Sequence, residues 1–445
     1  MLRYNHKRHL KKHVTLRKRF SRFIHILGPG VVTGAADDDP SGIATYSQAG
    51  ASMGYGLLWT IPIMYPLLVA VQSTCSRIGA VTGRGLAAII KDHYGKPMLV
   101  VAVSLAVIAN VINIGADLGA MAAALQLLMP ISFELAAVVF AGFILLLVIF
   151  VPYRQYARIL KWLAIVLFAY PITAFIVGQP WGTVLSHTLI PHIEWSTTTL
   201  LLVVGLLGTT ISPYLFFWDT SEVIEDEIAH KRVGILAKRP PKITRHFLRS
   251  VWIDNIAGMS LASVTAWFIM LTCATVLFSN GVTEINSAAD AAKAIEPLVQ
   301  GFPNAGFVAK FIFAIGIIGL GLLAVPVLAG SSSYAISETF GWREGLYRTF
   351  KKATGFYVVI IISTVIGLAI NFLGINPIQA LVFAAVFNGI AAVPLLAMIA
   401  HAARSEKIMG EYKMSRLTAF FVWLAFIIMA IAAIVLLIAL AMGAH

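Results

Sequence analysis

Residues 34–43 decide the fold, and they read Gly34-Ala35-Ala36-Asp37-Asp38-Asp39-Pro40-Ser41-Gly42-Ile43. The three carboxylates interrupt an apolar segment from about residue 24 to residue 50, and each charge at the centre of a bilayer costs about 2.5–3.5 kcal/mol. Pro40 removes a backbone donor and disfavours helix at Asp39. We therefore predict two half-helices separated by an unwound stretch that faces a polar cavity. The alternative, a span that begins after Gly42, leaves the preceding apolar run without a role.

The composition places most of the chain in a membrane. Of its 445 residues 59% are hydrophobic and 12% are charged, whereas soluble domains have about 45–50% and about 25%. Segments long enough to cross a hydrocarbon core of about 30 Å lie near 24–50, 56–79, 98–128, 132–152, 157–178, 196–220, 251–279, 307–334, 353–374, 377–402 and 416–442. We predict an all-α polytopic membrane protein with eleven transmembrane helices, which excludes a soluble enzyme, a disordered regulator and a disulfide-stapled secreted protein.

The basic residues fall on one side of this arrangement. Thirty-one of the 33 Lys and Arg lie in the N-terminal arm and in alternate loops, and the other two are Lys293 and Lys310. The positive-inside rule predicts a plasma (inner) membrane protein with a cytoplasmic N-terminus and an external C-terminus. We expect residues 1–22 to form a basic cytoplasmic arm on anionic lipid, and residues 23–445 to form the transmembrane domain. Because the basic residues are explained by this placement, the net charge of +13 does not indicate binding to nucleic acid, and we expect no nucleic-acid partner. We also expect a monomer.

The sixth span carries a second interruption, which reads Gly205-Leu206-Leu207-Gly208-Thr209-Thr210-Ile211-Ser212-Pro213-Tyr214-Leu215. Glycines, hydroxyl side chains and Pro213 cluster here at mid-depth. Broken helices five spans apart are typical of the LeuT-type five-plus-five inverted repeat, in which helices 1 and 6 form a substrate site at the bilayer midplane. We therefore predict helix breaks at Pro40 and Pro213 that meet in the bundle.

The residues at the two breaks favour a hard divalent cation. Their candidate donors are all oxygens: the carboxylates of Asp39 and Asp38, the carbonyls near Ala36 and Thr209, and the hydroxyls of Thr209, Thr210 and Ser212. Neither break contains Met, Cys or His. Such a site favours Mg²⁺, Mn²⁺ or Ca²⁺ over soft metals. The three aspartates would repel an anionic substrate.

Several motifs resemble the first two helices of the Nramp divalent-metal transporters. They are Gly28-Pro29-Gly30, Asp39-Pro40, Gln48-Ala49-Gly50-Ala51 followed by Leu57-Leu58-Trp59, and Val81-Thr82-Gly83-Arg84-Gly85-Leu86-Ala87. The resemblance continues weakly to Met409-Gly410, so it covers nearly the whole chain. It implies a transporter rather than an enzyme, with the metal ion as substrate and no cofactor. It also implies that Asp39 is the dominant metal ligand.

Two departures from the Nramp pattern indicate a hard-metal variant. Gly42 stands where the family has a ligand asparagine, and Ser212 stands where it has a metal-binding methionine. Loss of the thioether removes the bias towards soft metals. The emptier, wetter cavity suits Mg²⁺, which keeps several of its waters. The chain therefore resembles the Nramp-related magnesium transporter branch.

Further departures concern proton coupling. Tyr214 and Asp219 stand where the family has histidines associated with coupling, and the acid pair of its third helix appears here as Ile114 and Asp117. Asp117, Asp219 and Tyr214 remain as candidates for a proton or exit path. We expect alternating-access import of Mg²⁺ and/or Mn²⁺ without proton coupling. The alternatives are a proton-coupled Nramp-type Mn²⁺/Fe²⁺ symporter, a LeuT-fold carrier of an organic solute and a membrane enzyme of the prenyltransferase type.

Overall fold

A computed structural model describes residues 34, 37–152, 155, 163–192, 196–229 and 243–442. In this part of the chain the regular structure is entirely helical. The predicted basic arm over residues 1–22, most of the predicted first half-helix and Ala36 lie outside the described residues.

The helices are numbered here in chain order. The α-helices are α1 (Pro40–Met53), α2 (Thr60–Thr82), α3 (Leu86–Tyr94), α4 (Lys96–Gln126), α5 (Phe133–Phe150), α6 (Ala169–Val177), α7 (Trp181–Leu189), α8 (Thr197–Thr210), α9 (Pro213–Ala229), α10 (Arg245–Val276), α11 (Ala288–Ala292), α12 (Ala305–Phe340), α13 (Thr354–Ile370), α14 (Pro377–Ala402), α15 (Glu406–Met409) and α16 (Arg416–Ala441). Short 3-10 helices lie at Gly54–Leu57, Leu163–Phe168, Phe278–Asn280, Lys293–Val299, Phe350–Lys352, Asn371–Leu373 and Gly410–Tyr412.

The described residues contain eight helices long and apolar enough to cross a membrane, or nine if a bent pair is one span. The eight correspond to the third, fourth and sixth to eleventh predicted spans. The bent pair joins Pro40–Leu57 to Thr60–Thr82 at an angle of 115°. Its first helix corresponds to the second half of the first predicted span, and its second helix corresponds to the second predicted span. The multi-pass helical class is confirmed. The count of eleven stays a prediction, because the first and fifth spans lie partly outside the described residues.

Glycines bring the helices around the two breaks into close contact. A Cβ atom at Gly50 of α1 would lie 2.3 Å from the Met270 carbonyl oxygen of α10. At Gly208 of α8 it would lie 2.1 Å from the Ala385 carbonyl oxygen of α14. Small residues of this kind let helix backbones approach closely in membranes, where packing rather than the hydrophobic effect holds helices together. These contacts position α1 and α8, the helices that flank the breaks.

Carboxylates join the helices at the end of the bundle that carries the basic loops. The buried Glu338 side chain of α12 accepts a hydrogen bond of 3.1 Å from the N–H of Ala88 in the first turn of α3, where the helix dipole favours negative charge. Glu225 of α9 accepts hydrogen bonds from the hydroxyl of Tyr334 and, at 2.6 Å, from the N–H of Leu346. This end of the bundle is therefore tied together by bonds between helices and loops.

The close crossing of α8 and α14 makes a stability prediction. Gly208→Ala should lower the thermal stability of the detergent-solubilised protein, because overpacking costs about 1–3 kcal/mol. Gly142→Ala is the matched control, since no heavy atom lies within 4 Å of a Cβ atom there. It should be neutral or stabilising, as alanine is favoured over glycine in helices by up to about 1 kcal/mol. Equal melting temperatures for the two variants, measured by fluorescence-detected size exclusion, would contradict the packing argument.

Candidate functional site

The first break lies at Asp38 and Asp39, and Asp39 is the N-cap of α1. Its Oδ1 atom accepts hydrogen bonds from the N–H of Gly42 at 2.8 Å and from the hydroxyl of Ser41 at 2.6 Å. A capping carboxylate supplies a partner for an N–H that the helix itself cannot satisfy, and Pro40 in the first turn has no N–H to satisfy. The helix start therefore holds the carboxylate of Asp39 at its positive end.

The second break separates α8 from α9. α8 ends at Thr210 and α9 begins at Pro213, so two residues, Ile211 and Ser212, lie between them. The Ser212 hydroxyl donates to the carbonyl oxygens of Gly208 at 2.7 Å and Thr209 at 2.8 Å. A side chain of the break thus satisfies carbonyls at the end of α8 that have no helical partner.

The two breaks face each other. The Tyr46 hydroxyl of α1 lies 3.0 Å from the hydroxyl oxygen of Thr210, and a Cβ atom at Gly42 would lie 3.2 Å from the Thr209 hydroxyl oxygen. Among the described residues, the Thr209 hydroxyl and Oδ1 of Asp37 are buried without a hydrogen-bond partner. Oxygens with unused bonding capacity therefore line the junction of the breaks.

The helix α4 supplies the third wall of the site. The Asn113 side-chain amide donates to Oδ2 of Asp39 at 2.7 Å. Asp117 lies one turn further along the same helix face. It is fully buried, and neither of its carboxylate oxygens has a hydrogen-bond partner in the described part of the chain. The buried Tyr214 of α9 interacts electrostatically with both Asp39 and Asp117. The hydrogen bond and these electrostatic interactions place predicted residues of three helices near one another.

The three aspartates lie near one another at the first break, but their carboxylates are not arranged to hold a metal ion together. Within the described residues no group of three or more His, Cys, Asp or Glu side chains is placed to hold a metal ion. Asp38 is buried at the first break, and Asp219 is buried on α9, where it interacts electrostatically with Asp37. None of the described interactions pairs Asp37, Asp38 or Asp39 with a Lys or Arg. The site is therefore rich in negative charge, and hydroxyl, carbonyl and amide groups surround it.

Three residues near the breaks were not predicted from the sequence. Asn113 contacts Asp39 directly. Asn388 of α14 is fully buried with neither side-chain Nδ2 nor Oδ1 hydrogen-bonded among the described residues, and its neighbour Gly389 contacts Gly208 at the second break. Met64 of α2 lines the same small gap as Asp37. Asn113 and Asn388 are carboxamides inside apolar helices, which is a signal of function in a membrane protein. The sequence around Met64 carries no such signal.

Comparison with known sequences places the chain in a family. The sequence model of the family described as natural resistance-associated macrophage protein-like (Nramp) matches residues 30–439. The divalent metal cation transporter MntH of Verminephrobacter eiseniae is 26% identical over 405 residues, which are 89% of this chain and 85% of that protein. MntH of Listeria innocua is 26% identical over 310 residues, which are 68% of this chain and 66% of that protein.

Comparison with solved structures shows the same fold. The Eremococcus coleocola manganese transporter, in complex with an aromatic bis-isothiourea substituted compound, has a TM-score of 0.71 at 19% identity and covers 94% of this chain and 87% of its own. MhsT in complex with L-phenylalanine has a TM-score of 0.63 at 12% identity. Its alignment covers 92% of this chain and 98% of the MhsT chain. These likenesses confirm the predicted all-α, LeuT-type architecture. Because the family match extends over nearly all of a chain with this fold and these two facing breaks, the protein belongs to the Nramp family and is a membrane transporter rather than an enzyme.

Proposed function

We propose that this protein imports a divalent metal cation, Mg²⁺ and/or Mn²⁺, by alternating access through a site at the two helix breaks. The observation that carries the proposal is the buried carboxylate of Asp39, held at a helix N-terminus where three helices meet. The relatives named above as divalent metal cation transporters, and the manganese transporter of the same fold, support a metal substrate. An organic solute with a carboxylate of its own would meet three aspartates, which disfavours that alternative.

The proposed ligands are oxygens around Asp39. The Thr209 hydroxyl and the Asn113 amide oxygen have no hydrogen-bond partner in the described part of the chain, so both are available to a cation or to its waters. Gly42 places no side chain next to Thr209, so the backbone of the first break lies close to the Thr209 hydroxyl. The all-oxygen character of the two breaks favours a hard ion such as Mg²⁺ or Mn²⁺. Further proposed ligands are Asp38, Ser212, Gly42 and the carbonyl of Ala36.

The orientation of the protein follows from its charges. The basic loops lie between the predicted spans at one end of the bundle, and the positive-inside rule places that end in the cytoplasm. The N-terminus is then cytoplasmic and the C-terminus external in the plasma membrane. Residues 1–22 would contact anionic lipid, and residues 23–445 would form the transport domain, which we expect to act as a monomer.

Asp39→Asn tests the site without removing the cap of α1. Asparagine caps helices about as well as aspartate, so the variant should keep its melting temperature. Metal uptake into proteoliposomes, followed by quenching of an entrapped dye with Mg²⁺ or Mn²⁺, should fall to the level of protein-free vesicles because the charge is lost. Glu411→Gln, which removes an exposed charge far from the breaks, should transport normally. Uptake by Asp39→Asn at the rate of the unaltered protein would contradict the placement of the site.

The thioether of Met64 gives a test of metal selectivity. Sulfur ligands favour soft metals, and Met64 lies in the gap beside Asp37. If the ion binds oxygens around Asp39, as we propose, then Met64→Leu should leave the ratio of Cd²⁺ to Mg²⁺ uptake unchanged. The measurement is competition between the two metals in the same dye assay. A fall in Cd²⁺ uptake relative to Mg²⁺ would show that the sulfur contacts the ion and that the site is not all oxygen.

Uncoupled transport is the second part of the proposal. An inside-negative potential drives a divalent cation inward by about 2 × 2.3 kcal/mol per 100 mV, or roughly a 2,000-fold gradient. No proton is needed for accumulation on that scale. The family's coupling histidines are replaced by Tyr214 and Asp219. Proton symport remains the second candidate because both carboxylate oxygens of the buried Asp117 lack a hydrogen-bond partner among the described residues, and such a group can relay protons.

The coupling prediction is measured with an internal pH dye in proteoliposomes. Metal uptake should rise with an imposed inside-negative potential, and the internal pH should stay constant as metal enters. Asp117→Asn should leave both results unchanged. Acidification that follows metal entry and disappears in Asp117→Asn would contradict uncoupled transport and identify Asp117 as the proton relay.

A further inference from the structure

A cavity of about 540 Å³ opens at the end of the bundle opposite the basic loops. It lies between the end of α4, the start of α5, the short helix α11 and the connection from α13 to α14. Six waters occupy about 180 Å³ at roughly 30 Å³ each. A divalent cation with its complete inner shell of water therefore fits inside. We call this cavity the vestibule and define it by its polar lining residues Gln126, Glu134, Asn286, Asn371 and Asn376.

The vestibule wall has the chemistry of a hydrogen-bond acceptor. Glu134 is the one charged side chain among the described lining residues. The other polar side chains of the wall are the carboxamides of Gln126, Asn286, Asn371 and Asn376 and the hydroxyl of Ser287. A wall with one carboxylate and no Lys or Arg among these residues favours a cation over an anion.

The amides are oriented by their own hydrogen bonds. Gln126 donates from Nε2 to the carbonyl oxygen of Ile131 at 3.0 Å, and Asn371 donates from Nδ2 to the carbonyl oxygen of Gly115 at 2.9 Å. Each carboxamide carries donors on nitrogen and two lone pairs on oxygen. With its nitrogen bonded to the backbone, the side-chain oxygen of Gln126 is used by no described hydrogen bond. Oδ1 of Asn371 instead faces Gly119 of α4, and Oδ1 of Asn376 accepts from the N–H groups of Ile378 and Gln379. The unused bonding capacity of the wall is therefore that of Gln126 and of the Glu134 carboxylate.

An apolar layer separates the vestibule from the helix breaks. The vestibule shares Ala288 and Ile378 with a narrow gap of about 10 Å³, whose wall includes Ile43 and Phe313. That volume holds about one water molecule, so a hydrated ion cannot pass the layer as the structure stands. Ile43 lies four residues after Asp39 on the chain. A cation that enters the vestibule would therefore wait next to the first half-helix with its water shell intact.

We infer that the vestibule binds the divalent cation in its fully hydrated form, through hydrogen bonds from the ion's waters to the side-chain oxygen of Gln126 and to Glu134. The inference rests on the proposed function and adds the chemical state in which the substrate is first captured. Water bound to Mg²⁺ is released reluctantly, and water-mediated contacts are nearly as favourable as direct hydrogen bonds. The vestibule thus selects ions by their positive charge and their shell of water, and the ion loses water only when it reaches the helix breaks.

Hexaamminecobalt(III) is the probe for this site, because its six ammonia ligands donate hydrogen bonds and do not exchange. It should inhibit Mg²⁺ uptake competitively without being transported. In the double variant Glu134→Gln, Gln126→Ala the KM for Mg²⁺ and the inhibition constant should both rise about threefold to tenfold, and the maximal rate should stay the same. Both side chains are exposed, so folding should not suffer. Unchanged constants in this variant would overturn the inference.

Two controls separate this inference from the proposed function. Glu411→Gln removes the same charge at the other end of the bundle, and an equal rise in its KM would show that net charge rather than the vestibule is responsible. Calorimetric binding of hexaamminecobalt(III) to the Asp39→Asn protein needs no transport. Binding that persists there and is lost in the double variant supports the vestibule even if uptake fails. Absence of binding to the unaltered protein overturns it.

Discussion

The hydrogen bonds of the Asp39 carboxylate are the interaction on which the central structure depends. In a membrane every backbone polar group needs a partner inside the protein, so an exposed helix start at mid-depth would be costly. Asp39 supplies an acceptor to the start of α1, and Asn113 fixes its second oxygen from α4. The same group is thus a structural cap and the buried charge of the site. Its surroundings must satisfy both roles at once.

Hydroxyl side chains complete the backbone at the second break. Ser212 donates to two carbonyls at the end of α8, and Thr210 meets Tyr46 across the junction. These bonds allow the chain to leave helical geometry at this depth. A thioether at position 212 could not donate a hydrogen bond, so the departure from the family pattern at Ser212 has a structural effect in addition to the change in metal preference that the sequence predicts.

Much of the fold could be predicted because its signals are local. The length of the apolar segments predicted most of the spans. Asp39-Pro40 and Ser212-Pro213 predicted both breaks, because a proline or a charge disrupts the helix at its own position. The partners of those breaks were harder. Asn113, Asn388 and Met64 reach the site only through the way α4, α14 and α2 pack, and a sequence pattern within one helix does not reveal which distant helix it faces. Ala36, outside the described residues, remains a prediction.

The capping of α1 by Asp39 has a mechanical consequence. α1 is a rigid rod of 14 residues, about 21 Å long at 1.5 Å per residue, and its first turn is bonded to the carboxylate that also carries the charge of the site. A cation that draws the Asp39 oxygens towards itself competes with the Gly42 and Ser41 donors for the same lone pairs. Under the proposed function, loading of the site would therefore pull on one end of this rod, so that binding and the position of α1 are mechanically linked.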